Sequence, residues 1–407
     1  MKTPHFIYGE PPSTRLFTSI MLLWLAGIGL RITILAVPPV IPFIRADLLM
    51  SETQVGILAG LPQVLFACAA VPGSLLIVRF GALATVVFGL LTTAMGSALR
   101  GVAPSIALLF AATMVTGFGV AIMQPALPPL VRAWLPRHIG FGSAVFTNGL
   151  LIGEILPVAL TLPLVLPLVG GSWRLGFAAW AVPVALIALV VLMCAPRPAN
   201  AISNNKAIRW WPDWKSPLIW RLGLMLGTIN AMYFGTNAFI PDFLHATNRA
   251  DLISPALTAL NVSQLPASFI LLPIADRLLR RAWPYAGAGA LCLIGIMGIM
   301  LGDSTILLAA TALLGFATAA ALVLIFALPP LLSAPDDVHR TSAAMFTISY
   351  TCAVIIPIIS GIVWDVSGAP FAAFVPVALS SVLLIACAPT VVRSRERAAR
   401  PDAVIRS

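Results

Sequence analysis

Two ionisable side chains lie deep inside apolar sequence, and they are the first candidates for chemistry. Arg31 stands about 14 residues into the apolar run Leu16 to Ile44, roughly 21 Å along a helix that rises ~1.5 Å per residue. The side chain cannot easily reach either end of that run. A guanidinium stays charged and presents a planar fork of donors. Its partner is therefore a small anion, a polar planar solute, a fixed pairing with Glu154, or a cage of backbone carbonyls. Glu154 lies midway along the run 140–168, with Thr147 seven residues earlier on the same helical face. It reads as a proton carrier, a counter-ion for Arg31, or a packing group, and the sequence leaves its protonation open.

Uncharged polar residues form stripes at helical spacing. Asn230, Tyr233 and Asn237 follow i, i+3, i+7, and Asn261, Gln264 and Ser268 do the same. Thr347, Tyr350 and Thr351 share a face, while Gln63 and Gln124 stand singly inside other apolar runs. Such amides and hydroxyls either line a water-filled cavity or join helices to one another. The candidate solute contacts are thus Arg31, Gln63, Gln124, Asn230, Tyr233, Asn237, Gln264 and Tyr350, with Glu154 as the proton-coupling or counter-ion group.

The elements that must position these residues are membrane spans. The chain is 60% hydrophobic and 9% charged, against roughly 25% charged in a soluble domain. Apolar runs long enough to cross a bilayer, about 20 residues each, recur near 17–44, 53–78, 82–102, 104–131, 140–168, 174–194, 217–245, 252–278, 283–302, 304–332, 340–364 and 369–392. Only helices suit these runs, because the backbone must satisfy itself in lipid. With the N-terminus cytoplasmic, 19 Lys and Arg fall on the cytoplasmic side and 4 on the other, with Arg31 inside a span. That asymmetry fits an even number of spans and two cytoplasmic termini. No cleavable leader is expected, since the first run is too long for one and lacks a small-residue cleavage site.

The chain also repeats itself. Phe141 to Pro157 reads FGSAVFTNGLLIGEILP, and 200 residues later Thr341 to Pro357 reads TSAAMFTISYTCAVIIP. Leu127-Pro128-Pro129-Leu130 matches Leu328-Pro329-Pro330-Leu331, and Ile41-Pro42 matches Ile240-Pro241. Leu61-Pro62 has its counterpart in Leu265-Pro266. The one long polar stretch, 196–216, separates six runs from six. The expected organisation is a first six-helix bundle over 1–195, a cytoplasmic linker over 196–216, and a second bundle with a basic tail over 217–407. Trp210, Trp211, Trp214 and the basic residues of the linker suit the headgroup level of a membrane.

Other chemistry is poorly served. The net charge of +10 is spread over short loops and chain ends, which argues against nucleic-acid binding. There is no GxxxxGK[ST] phosphate loop, no metal-ligand spacing among the four histidines, and no CxxC pair among the five cysteines. No catalytic residue, metal or cofactor is expected. Arg100, Asp242, His245, Asp365 and Asp276-Arg277 fall near span ends and read more readily as anchors than as gate salt bridges.

Several stretches resemble the cyanate and 2-nitroimidazole permease family of the major facilitator superfamily. They are Gly29-Leu30-Arg31-Ile32-Thr33 with Pro38-Pro39-Val40-Ile41-Pro42-Phe43-Ile44-Arg45, Thr53 to Pro62 (TQVGILAGLP), and Gly117 to Pro125 (GFGVAIMQP). Arg100 also has a counterpart there. The resemblance implies an all-α integral membrane fold of twelve helices in two pseudo-symmetric six-helix bundles. It further implies secondary transport of a small anionic or polar solute, with Arg31 as a contact. The sequence departs from the family at Glu154, where small residues are implied. It departs again at Gly73 to Ala84 (GSLLIVRFGALA), which keeps only Arg79 of a normally charged loop motif.

The expectation is an alternating-access transporter for a solute such as cyanate or a nitroimidazole-like compound, with a proton as candidate co-substrate. It would act as a monomer in a bacterial inner-type membrane, with the lipid bilayer as its surroundings. Multidrug or metabolite efflux through an apolar cavity is the alternative. A non-transporting receptor is a remoter one, because no sizeable soluble output domain is visible.

Overall fold

Helix is the only regular structure among the described residues, 13–196 and 209–389 of a computed structural model. The first half comprises α1 (Ser13–Gly29), α2 (Ile41–Leu48), α3 (Glu52–Phe80), α4 (Ala82–Arg100), α5 (Ile106–Met123), α6 (Leu127–Trp134), α7 (Ile139–Leu160), α8 (Leu166–Leu168) and α9 (Trp173–Cys194). The second comprises α10 (Pro217–Ala246), α11 (Ile253–Val262), α12 (Gln264–Leu271), α13 (Ala275–Leu278), α14 (Trp283–Leu301), α15 (Ser304–Phe326), α16 (Leu328–Leu332), α17 (Val338–Ser367) and α18 (Val375–Cys387). Residues 197–208 of the expected linker and the basic tail from 390 onward lie outside the described residues.

The two halves pack by the same scheme. α1 lies on α7 as α10 lies on α17, α4 lies on α5 as α14 lies on α15, and α4 meets α9 as α14 meets α18. The repeated text falls at equivalent places. Both LPPL segments open a short helix after a break, α6 and α16, and both Pro157 and Pro357 sit inside a long helix.

Nine helices among the described residues are long and apolar enough to cross a membrane. The three expected spans that do not appear among them are 17–44, 217–245 and 252–278. The first and third are broken into shorter pieces, and the second is the continuous 30-residue α10, which carries the polar stripe. These three carry Arg31, the stripe of Asn230, Tyr233 and Asn237, and the stripe of Asn261 and Gln264. In the first and third the polar residues sit on or beside irregular backbone, which membranes tolerate where it faces protein or water rather than lipid.

Between the halves, α3 packs on α17, and α7 packs on α12, α13 and α15. One end is tied by polar contacts across the halves. Arg132 donates through Nη1 to Pro330 O at 2.9 Å and Ser333 O at 2.6 Å. The Gly140 N–H donates to Asp276 Oδ1 at 2.7 Å, and His138 Nδ1 lies 3.6 Å from Asp276 Oδ2. At the other end, Arg174 binds Asp47 and Ala103 O within the first half, and Arg249 binds Gly302 O within the second.

Candidate solute-binding site

Arg31 owes its place to a broken helix. α1 ends at Gly29, and residues 30–36 continue as turns before a 3-10 segment at Pro38–Val40. Pro38 and Pro39 supply no backbone N–H and crowd the carbonyls one turn earlier. The carbonyl of Arg31 accepts from both Ile34 N and Leu35 N at 3.0 Å, and Val37 N turns to Ile34 O. The cationic side chain therefore stands just beyond the carbonyl end of α1, where the helix dipole favours positive charge.

Glu154 reaches Arg31 because α7 carries glycine where it meets α1. A Cβ at Gly153 would come within 2.5 Å of Ile28 O, and one at Gly149 would overlap Trp24 O more closely still. Small residues let two membrane helices approach closely. The next residue after Gly153 is Glu154, and its Oε1 lies 3.2 Å from Arg31 Nε. That contact has ion-pair distance without hydrogen-bond alignment, so the buried Nε–H is left without a hydrogen-bond acceptor.

The second half closes over this pair through Tyr350 on α17. Its hydroxyl accepts from Arg31 Nη2 at 3.0 Å and exchanges hydrogen bonds with the Gln124 amide at 3.0 and 3.3 Å. Phe66 lies edge-on to the Tyr350 ring at 4.9 Å, and the Arg31 guanidinium carbon stands 5.5 Å from the centre of the Phe66 ring. Arg31, Gln124 and Tyr350 are all buried.

A small cavity opens beside these groups. Arg31, Glu154, Asn230, Tyr233, Gln264 and Tyr350 supply its polar wall. Leu150, Ile229, Phe234, Leu322 and Phe326 are among its apolar lining. The space open to the centre of a water molecule is about 20 Å³, enough for about one water. The cavity follows the internal repeat. At an offset of 199, Arg31 corresponds to Asn230, and at 200, Leu150 corresponds to Tyr350. All four face the same space.

The remaining polar candidates sort themselves by contact. Asn261 is a hub: its Oδ1 accepts from the Tyr233 hydroxyl at 2.7 Å, and its Nδ2 donates to Asn237 Oδ1 at 3.1 Å. Asn237 therefore supports the wall from behind and is not part of the lining. Asn230 donates to Ser349 Oγ at 2.8 Å. Gln63 stays apart, outside the cavity lining; its side-chain amide lies 3.0 and 3.1 Å from Gly60 O and Ala59 O of its own helix, and its amino group donates to them when the amide is turned to face them. Asn148 joins the halves by donating to Ser268 Oγ at 2.9 Å while accepting from Trp24 Nε1 at 3.0 Å. Phe66 and Asn148 gave no signal in the sequence, since an aromatic or a lone amide in an apolar run is usually packing. Asn261 gave one, as part of its stripe.

The fold and the cavity together define a solute transporter of two packed helical bundles. A profile of the Major Facilitator Superfamily matches residues 23–249, and the chain belongs to that superfamily, whose members are transporters and not enzymes. It is 27% identical to the cyanate transport protein CynX of Escherichia coli K12 over 351 residues, covering 86% of this chain and 90% of the relative. It is 25% identical to the 2-nitroimidazole transporter of the same organism over 393 residues, covering 91% and 96%. It is 27% identical to the uncharacterized transporter YycB of Bacillus subtilis 168 over 307 residues, covering 75% of each. Among solved structures, the proton:xylose symporter XylE superposes with a TM-score of 0.75 at 13% identity, covering 93% of this chain and 96% of that one. FucP in its outward conformation superposes with a TM-score of 0.74 at 14% identity, covering 93% and 99%. At these identities the solved structures speak for the fold alone.

Proposed function

We propose that this chain is a secondary transporter that carries a small planar anion, cyanate being the first candidate, together with one proton. The observation that carries this reading is the buried Nε–H of Arg31. It faces Glu154 at ion-pair distance but has no aligned acceptor. An anion that docks on the guanidinium fork gains charge-assisted hydrogen bonds that the resting pair leaves unmade. The polar wall of the cavity, a guanidinium with Asn230, Tyr233, Gln264 and Tyr350 around it, favours a small polar solute over the large apolar compounds of an efflux pump. The names of the two Escherichia coli relatives, a cyanate and a 2-nitroimidazole transporter, support the same size class.

Proton coupling follows from crowding. A solute anion and the Glu154 carboxylate would share one guanidinium in a nearly water-free space. Two like charges about 4 Å apart repel by ~4 kcal/mol at an effective dielectric of ~20. That is on the order of a thousandfold in affinity. Protonating Glu154 removes the repulsion and frees the guanidinium. The anion therefore binds with a proton, the loaded carrier has the same charge as the empty one, and transport of a monoanion is electroneutral. The ties among Arg132, Pro330, Ser333, Gly140 and Asp276 hold one end shut, so the solute enters from the other end in this state. Rocking of the two halves would exchange the closed end. Both termini are assigned to the cytoplasm of a bacterial inner membrane on the charge asymmetry, and the working unit is proposed to be a monomer.

Proteoliposomes loaded at different internal and external pH test the reading. An inward proton gradient drives concentrative uptake of labelled cyanate, and an imposed membrane potential leaves the rate unchanged. Uptake that follows the potential and ignores the pH gradient would overturn it.

A further inference from the structure

A second arginine is buried more completely than Arg31, and nothing in the solute reading uses it. Arg100, the last residue of α4, has no exposed surface. Among the described residues no carboxylate pairs with it. Its Nε donates to Thr113 Oγ1 at 3.1 Å and its Nη1 to the carbonyl of Thr33 at 2.9 Å. Its Nη2 has no partner, and its guanidinium carbon stands 5.7 Å from the centre of the Phe177 ring. Removing an ion from water without a counter-charge is expensive, and well-packed apolar residues of similar volume are often as stable or better. A buried charge of this kind is retained for what it holds.

What it holds is the break in the first span. In an unbroken helix the Thr33 carbonyl would accept from Val37 N, but Val37 N is turned to Ile34 O. Thr33 O is thereby deprived of its helical donor, and Arg100 replaces it. The other anchor is firm, because the Thr113 hydroxyl donates to Leu109 O at 2.8 Å within α5 and accepts from Arg100. One planar guanidinium thus ties the irregular segment 30–37 to α5 in a fixed orientation. A lysine in its place would reach one anchor with no fixed plane. Arg31 belongs to the same segment, two residues before Thr33.

We infer that Arg100 is a positioning residue for Arg31: through Thr33 O it holds the unwound segment in the shape that aims the Arg31 guanidinium into the cavity. It does so without meeting the solute, since it is fully buried and is not part of the cavity wall. The consequence for solute affinity rests on the proposed function, whereas the placement of Arg31 does not.

The test uses the full chain in nanodiscs, as wild type, Arg100→Gln, Arg100→Lys and Thr113→Val. Tyr285→Phe is the control; it removes a buried hydrogen bond to Leu279 O in the second half, away from the break. Two readouts need no solute: amide exchange of residues 30–37, and the rate of Arg31 modification by phenylglyoxal, each read by peptide mass. A third is cyanate affinity. Arg100→Gln is expected to raise both rates about tenfold and to weaken cyanate binding about tenfold, in line with a lost charge-assisted bond. Arg100→Lys recovers part of each, Thr113→Val gives a smaller shift in the same direction, and Tyr285→Phe moves none at equal thermal loss. Exchange and modification rates at wild-type values in Arg100→Gln would overturn the inference, as would equal changes in Tyr285→Phe. Should Arg100→Gln fail to fold, Thr113→Val decides by the same readouts. If wild type binds no cyanate, the solute assignment fails while the two solute-free readouts still decide the role of Arg100.

Discussion

Arg31 and Arg100 are both buried arginines of the first half, and they are satisfied in opposite ways. Arg100 directs its donors to a backbone carbonyl and a threonine hydroxyl inside one bundle, and it faces no carboxylate. Each leaves one donor without an acceptor, Nη2 of Arg100 and Nε of Arg31, but Arg31 faces a carboxylate, a tyrosine from the other bundle and an open cavity. The first arrangement has one stable state. In the proposed cycle the second has two, because an outside anion takes the place of Glu154 and Tyr350 moves with the other half. Neither intramembrane charge nor an unsatisfied donor alone therefore marks a solute site; what sets Arg31 apart is its place at the seam between the two halves, beside a cavity.

The comparison breaks most sharply at Arg31 itself. Arg31→Ala leaves Glu154 buried without its partner, and breaking a buried pair costs ~3–5 kcal/mol. Labelled cyanate uptake is expected to fall by at least a hundredfold, with Arg31→Lys retaining a measurable part. Uptake within threefold of wild type in Arg31→Ala would place the solute elsewhere. Glu154→Gln is next in size and different in kind. The neutral amide mimics the protonated carboxyl, so cyanate binds at least as well as in wild type near neutral pH. Uptake in wild type rises as the loading side is acidified, and in Glu154→Gln that dependence is lost along with accumulation against a gradient.

Gly153→Leu tests how the pair is assembled. The added side chain meets Ile28 O, pushes α7 from α1, and should lower thermal stability by the ~1–3 kcal/mol typical of overpacking while cutting uptake about tenfold. Tyr350→Phe removes the hydroxyl that joins Arg31 to Gln124. A hydrogen bond to a charged group is worth ~1.5–3 kcal/mol, so affinity should fall about tenfold or somewhat more, with the pH response kept. The smallest effect is expected at Gln63, whose amide bonds only its own helix. Gln63→Ala should change affinity by less than twofold in a binding titration, and a larger loss would bring Gln63 into the cavity.

Much of this could be read from the sequence, and the reasons for the rest are physical. The spans, the repeat and the membrane setting come through because lipid allows few structures and each span must be apolar. Arg31, Glu154 and the amide stripes stand out against that apolar ground. What was not legible is where the first span breaks. Pro38 and Pro39 announce a disturbance, but the turns begin several residues earlier, at Leu30, and the carbonyl freed at Thr33 finds Arg100 from another helix. That partnership joins residues 67 apart and leaves no local pattern. Gln63 and Gln124 looked alike for the same reason: each is a lone glutamine in an apolar run. Only packing shows that one turns to its own helix and the other to Tyr350. Arg100 looked like an end-of-span anchor because its position along the helix is terminal, while its burial is set by α5, α9 and the broken segment.

The central claim is that an anion takes the place of Glu154 on Arg31 and that Glu154 then accepts a proton. Calorimetric titration of the purified transporter with cyanate, near neutral pH in two buffers of different ionisation enthalpy, measures the protons taken up per anion bound. The account predicts one proton for wild type and none for Glu154→Gln, with binding preserved in both. Binding by wild type without proton uptake, or equal uptake in Glu154→Gln, would contradict it.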